Sequence, residues 1–471
     1  MARLSRDRTT IALLGAFALG VLLLTGVLLA VFLGRREERA APTTTSVTPT
    51  TTTSAGTTAA SAGRPVPPAR SGPLRVVAVG AFSATVEWVG TGAPERVAYG
   101  LPELGPTLWA PLSDNRAQLT GLRFGTAYRV WAGDATLDLT TAPAPDSPSA
   151  SIAGGAVLLD GQPFFPLLEL AQCGLNFDAG LEAGISVFVE NGCGGIAQQA
   201  GALASRAFSL TAAEEAGIGG PGVIGWYYPD EPDLKGIAPE ALPQFPALEA
   251  TGRLRVLTLS NHVYSRAAAL PAGRGVYAGL IAPSDLVGLD LYPLQEFCDA
   301  GWLPDVASAQ RELVALAGPR PTFQWIEART WRCRAPGLRV TAATIRAESW
   351  LAIAGGARGL GFFPADWPAA LTPAIGRLAR EVAALQPALA APDAPVSADA
   401  PLVAAARTFG GAFYVLAVNP TRTRVEATIR AAPLAHGSAT VLGERRSVEL
   451  TDGVLRDGFA PLAVHVYVLA P

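Results

Sequence analysis

The 471-residue sequence is longer than one hydrophobic core serves, so it reads as several domains. Apolar residues make up 49% and charged residues 16%, the balance of a globular rather than a disordered chain. A formal net charge of -3 with three histidines gives no basic footprint for nucleic acid and little material for a His-based metal site or a Ser-His-Asp triad.

From Thr9 to Gly34 the chain carries no charge and is mostly Leu, Ala, Val and Gly, long enough to cross a bilayer as one helix. The stretch is longer than a signal-peptide core and lacks a clear cleavage site. Residues 1–39 are therefore expected to be a cytoplasmic stub and a signal-anchor transmembrane helix. Arg3, Arg6 and Arg8 precede it and Arg35, Arg36 and Arg39 follow, so positive charge alone does not orient it. All four cysteines lie downstream, which suits an oxidising exterior and predicts a single-pass cell-membrane protein with its bulk extracytoplasmic. Residues 40–71, rich in Thr, Ser, Ala, Gly and Pro, cannot build a core and are expected to be a disordered tether.

Short alternating segments follow at Leu74–Val79, Ala84–Val89, Arg96–Tyr99, Arg116–Thr120, Tyr128–Ala132 and Leu137–Thr141, predicting a β-sandwich over 72–145. From Ile152 strands alternate with helical stretches, the pattern of a parallel sheet. Eight strands are predicted near Pro166–Leu170, Ile185–Val189, Ala207–Leu210, Val223–Tyr228, Arg255–Ser260, Leu286–Leu291, Thr322–Glu327 and Gly359–Phe363. They give an α/β TIM barrel, (β/α)8, over 152–392. Ala342–Ala354 and Pro373–Leu385 carry apolar residues at helical spacing. Beyond Pro395 alternation returns in F-Y-V-L-A-V and V-H-V-Y-V-L-A, predicting a C-terminal antiparallel sandwich over 396–471.

Val223 to Pro232 reads V-I-G-W-Y-Y-P-D-E-P, an apolar strand ending in two adjacent carboxylates. Loops after the strands line the open face of a barrel, so Asp230 and Glu231 are candidates for proton transfer. The plainer reading is that Glu231-Pro232 opens a solvated loop. Glu327 ends the seventh strand and either joins that site or pairs with Arg329 or Arg332. Asp290 either faces the barrel interior or is a buried acid paired with an arginine such as Arg358. Asn261 and His262 close the fifth strand within reach of a substrate, and Trp226, Tyr227, Tyr228 and Trp325 either line a cleft or fill the core. Cys173 and Cys193 follow the first and second strands, Cys298 and Cys333 the sixth and seventh. Consecutive barrel strands are neighbours, so Cys173–Cys193 and Cys298–Cys333 are the expected bridges, while the lack of C-x-x-C spacing argues against a metal site. No cofactor is implied.

Leu122 to Tyr128, L-R-F-G-T-A-Y, resembles the tyrosine-corner segment of fibronectin type III domains, with Phe124 in place of the usual Pro. Three further segments are L-L-D-G-Q-P-F-F-P at Leu158–Pro166, G-L-D-L-Y-P at Gly288–Pro293 and G-A-R-G-L-G-F-F at Gly356–Phe363. They resemble strands one, six and eight of the clan A glycoside hydrolases, the beta-galactosidase-like superfamily. The resemblance implies Glu231 as acid/base and Glu327 as nucleophile, with carboxyls about 5–5.5 Å apart for a retaining reaction. It also implies Tyr292 as hydrogen-bond partner of that nucleophile and Trp367 as a sugar-stacking platform. Two positions depart from the pattern. Asp230 stands where the family usually has Asn, and Glu190 and Asn191 stand where many members keep an arginine. The activity implied is retaining hydrolysis of O-glycosidic bonds in a polysaccharide or oligosaccharide, such as a cell-envelope glycan. The alternatives are a non-catalytic carbohydrate-binding protein and a structural spacer or adhesin of the cell surface.

Overall fold

The computed structural model describes residues 72–170, 177–189, 195–212, 217, 219–364, 367–431 and 436–471. The expected transmembrane helix, the tether and the cysteines of the first expected bridge, Cys173 and Cys193, lie outside them. Among the described residues no helix is long and apolar enough to cross a membrane.

The centre is a closed barrel of eight parallel strands: β1 Leu167–Glu169, β2 Val187–Val189, β3 Phe208–Ala212, β4 Val223–Tyr227, β5 Leu254–Leu259, β6 Leu286–Asp290, β7 Thr322–Glu327 and β8 Leu360–Phe363. Pairing of Leu167 with Leu360 and Glu169 with Phe362 closes it. Strands flanked by helices are buried on both faces, which is why they read as continuous apolar runs; all five residues of β4 are buried. Alternate residues separate the two faces. Leu168, Val256, Phe323 and Trp325 share one cluster, whereas Leu257, Leu289, Ile326 and Phe362 pack with the helical layer. Phe323 and Trp325 fill space left by glycines on neighbouring strands: a Cβ at Gly288 would come 2.2 Å from the Phe323 ring, and one at Gly361 2.2 Å from the Trp325 ring. Trp325 Nε1 donates to Thr258 Oγ1 at 2.8 Å, satisfying the polar atom of a wholly buried indole.

Among the described residues two β domains flank the barrel, besides the short three-stranded sheet of Ala150–Ala153, Ala156–Leu159 and Gln162–Phe164. The N-terminal one is a sandwich of a three-stranded sheet (Leu74–Val79, Ser83–Trp88, Arg116–Thr120) and a four-stranded sheet (Leu108–Pro111, Arg96–Gly100, Ala127–Ala132, Ala135–Thr140). Leu108–Pro111 is an unexpected strand, too short and too close to Pro111 to show alternation in sequence. Tyr128 Oη accepts the Arg123 N–H at 3.0 Å, tying the corner between the sheets. Phe124 joins Phe82, Phe164 and Phe208 in an edge-to-face cluster, so it seats the sandwich on β3 of the barrel. The C-terminal unit is the expected sandwich, built from one nine-stranded antiparallel sheet curled round a core of Val415, Ile429, Leu455 and Phe459. Helix Thr372–Ala390 sits among all three units. Gln386 in it donates to the Gly121 carbonyl at 2.9 Å, and Tyr414 of the C-terminal sheet donates to the Thr107 carbonyl at 2.8 Å.

Candidate active site

A cavity of about 320 Å³ opens at the C-terminal ends of the strands. Four carboxyls line it, Asp230 and Glu231 after β4, Asp290 at the end of β6 and Glu296 in the loop beyond, together with the rings of Tyr292, Trp331 and Phe363 and the guanidinium of Arg332. Its size falls within the range of small-ligand sites.

The loop after β4 is fastened by Asp233, which is buried and accepts the Ser260 N–H at 3.1 Å and the Ser260 hydroxyl at 2.6 Å. Glu231 has φ +44°, a left-handed conformation that a glutamate adopts only under constraint. The carboxyl of Glu231 is pushed up to about 7, first by burial and then by the charges of Asp230, Asp233 and Glu296. Tyr227 donates to Asp230 Oδ1 at 3.0 Å, and Lys235 bonds the Asp230 backbone carbonyl. Asp290 is held well above the usual carboxylate range by burial and then by Asp230 and Glu231. So many acids in one cavity cannot all ionise together.

Glu296 stands apart from the others. Burial outweighs the rest and holds its carboxyl above the ordinary value, in part offset by His262, by the Asn261 amide donating to Oε1 at 2.6 Å, and by Arg332. Asn261 and His262, read from sequence as substrate contacts, serve this carboxylate instead; His262 Nδ1 lies 2.7 Å from the Ala268 carbonyl.

Glu327 is a correction. It is fully buried and does not line the cavity: Oε1 accepts the Leu294 N–H and Oε2 the Gln295 N–H, both at 2.9 Å. Burial pushes its carboxyl up to about 7 against the pull of those amides. Tyr292 donates to Asp290 Oδ1 at 2.9 Å rather than to Glu327. Among the described residues Asp290 has no arginine partner, and Arg358 bonds the Leu389 carbonyl and Asp393 instead. Trp367 donates to Glu169 Oε1 at 2.8 Å and stands outside the cavity. Trp226 faces outward, stacked on Phe245 with ring centroids 5.3 Å apart. Tyr228 likewise faces away, donating to the Pro283 carbonyl at 3.2 Å.

The residues missed in sequence are Glu296, Gln295, Trp331, Arg332 and Phe363. All but Phe363, which ends β8, sit in loops without periodicity. Their one signal is that Glu296 precedes Cys298 and that Trp331 and Arg332 precede Cys333. The Cys298–Cys333 bridge forms as expected and joins the loops after β6 and β7. Gln295 strengthens the same seam: Oε1 accepts the Trp331 N–H at 2.8 Å and Nε2 donates to the Leu338 carbonyl at 2.7 Å.

No known family profile matches the chain, and no curated protein does. Among solved structures it is similar to a beta-glucuronidase of Ruminococcus gnavus, at 9% identity and TM-score 0.36 over 65% of this chain and 67% of that one. It is similar to an endoxylanase of Clostridium papyrosolvens, at 10% identity and TM-score 0.39 over 69% and 98%. A third is an alpha-amylase of Geobacillus thermoleovorans, at 8% identity and TM-score 0.37 over 65% and 98%. Likeness this distant carries no argument, and the barrel stands on its own eight paired strands.

Proposed function

We propose that the barrel hydrolyses O-glycosidic bonds in a polysaccharide or oligosaccharide, with Glu231 as proton donor and Glu296 as the opposing carboxylate. The observation that carries this reading is that two carboxyls of contrasting surroundings line one aromatic-walled cavity: Glu231 is crowded by acids, while Glu296 is served by an amide and a guanidinium. Glu231 protonates the leaving oxygen while Glu296 attacks the anomeric carbon. Water then cleaves the glycosyl ester with Glu231 as base, so configuration is retained. Tyr292, Trp331 and Phe363 offer ring faces and edges to a pyranose. The nucleophile is thereby moved from Glu327 to Glu296.

The N-terminal sandwich, with its Tyr128 corner, is proposed as a fibronectin type III-like spacer. The stretch Thr9–Gly34 is proposed as the anchor that holds the barrel outside the membrane, which labelling of intact cells with an impermeant reagent tests. For the chemistry, the soluble part is assayed on a panel of aryl glycosides with NMR of the product anomer. Retained product, lost in Glu231→Gln and in Glu296→Gln, supports the reading. Saturable glycan binding without product returns the non-catalytic alternative.

A further inference from the structure

We infer that Glu327 is the positioning residue of this reaction, an anionic clamp that fixes the turn Pro293–Glu296 and so aims Glu296, with Glu348 behind it as a neutral partner. The inference rests on the proposed role of Glu296, but its first test does not.

The turn begins at Pro293. The Glu296 and Phe297 N–H groups return to the Tyr292 carbonyl at 3.0 and 3.3 Å, and Asp299 N–H to the Pro293 carbonyl at 3.2 Å. The amides of Leu294 and Gln295 are left pointing outward from the start of the turn, as the first donors of a helix are. Each meets one oxygen of Glu327 at 2.9 Å. A carboxylate is the only side chain with two acceptor oxygens at that spacing, and its charge is favoured by the converging N–H dipoles. A glutamine there would satisfy one amide and turn an NH2 group against the other.

Glu348, from helix Ala342–Ala354, abuts Glu327 from the helical layer, itself buried and with neither oxygen in a well-formed hydrogen bond among the described residues. Two adjacent buried carboxyls do not both ionise. Of the two, Glu327, with its two amide donors, gives up its proton first, as pH rises past about 7, and burial with the charge of Glu327 holds the proton on Glu348. Gln295 and the Cys298–Cys333 bridge fasten the same turn to the loop after β7, and it is Glu327 that, among the described residues, accepts from the two backbone amides immediately before Glu296.

Amide hydrogen exchange, read by mass spectrometry on peptides covering 292–299, decides the first part without any substrate. Glu327→Gln should speed exchange there about tenfold or more while the barrel strands keep their protection, and Glu348→Gln, which mimics a protonated glutamate, should match the wild type. Where Glu327→Gln fails to fold, Glu327→Asp supplies the same readout. Unchanged exchange in the Glu327 variant, or equal loss in Glu348→Gln, overturns the clamp. The second part uses an aryl glycoside that the wild type cleaves. Azide or formate should restore turnover to Glu296→Gly and not to Glu327→Gly, and rescue of the latter would make Glu327 a nucleophile after all. A chain that cleaves no glycoside sinks the hydrolase reading and leaves the exchange result standing.

Discussion

Glu231 and Glu327 hold comparable places, each at the mouth end of a parallel strand, and meet opposite fates. Glu327 is the last residue of β7, still paired in register with Phe363, so its side chain belongs to the wall and the loop after β6 closes over it. Glu231 lies beyond the end of β4, past Tyr228 and Pro229, on a strained backbone that leaves the wall and enters the cavity. A carboxyl inside the ladder can be roofed by the neighbouring loop, and one just beyond it cannot. Strand register therefore predicts where an acid begins but not where it ends.

The largest expected effect separates the two directly. Glu231→Gln should lower kcat on an aryl glycoside by about 10² to 10⁴, the loss typical of a general acid, with the fold intact by circular dichroism. Because Glu231 must hold its proton to act, the wild-type rate should fall as pH rises past about 7. A variant that keeps full activity, or a rate that climbs through that range, breaks the comparison in favour of another acid.

Next is the seam between the two loops. The Cys298–Cys333 bridge closes a sequence separation of 35 residues. Replacing both cysteines by serine should cost about 3 to 4 kcal/mol in denaturant unfolding. A loss well below 1 kcal/mol would mean that Gln295 and Glu327 hold the turn without it.

How much of this was legible in sequence follows from the kind of signal each part carries. The barrel strands were readable because burial on both faces turns them into apolar runs bounded by Gly and Pro, as in Val223–Tyr227 and Thr322–Glu327. Asp230 and Glu231 were readable because charge interrupts such a run abruptly. The Cys298–Cys333 pairing followed from strand order alone. Glu296 and Trp331 were not readable, since a loop side chain reaches the cavity only through tertiary fastenings such as Asn261 and Gln295. The outward turn of Trp226 shows a second limit: a one-residue change of parity moves an aromatic from the cavity side of the wall to the helical side, and sequence did not mark which neighbour, Trp226 or Tyr227, faced in.

A smaller effect comes from a carboxyl at the end of β1, which resembles Glu327 more than Glu231. Glu169 is buried, accepts from Trp367, and has Oε2 without a hydrogen-bond partner among the described residues; burial pushes it up to about 9. A group that binds its proton more tightly folded than unfolded stabilises fully below its unfolded pKa, and that contribution is lost as pH rises through the folded value. Thermal stability should thus be greater in mild acid and decline toward pH 9, with Glu231 and Glu327 adding to the decline near 7. Glu169→Gln should flatten the part of that decline between 7 and 9; an unaltered slope would mean that Glu169 is ionised in the folded chain.

The smallest effect distinguishes an aromatic that lines the cavity from one that does not. Trp331 is half-buried, meets Tyr292 edge-on with centroids 5.4 Å apart, and faces the four carboxyls. Trp331→Ala should raise KM about tenfold with kcat little altered, the magnitude of one lost ring contact. Trp367→Phe removes the indole N–H that Glu169 accepts, together with part of the ring, so its effect should appear in stability and leave KM unchanged. If the two variants exchange these signatures, the sugar lies over Trp367 and the cavity beside Glu231 is not the one that binds it.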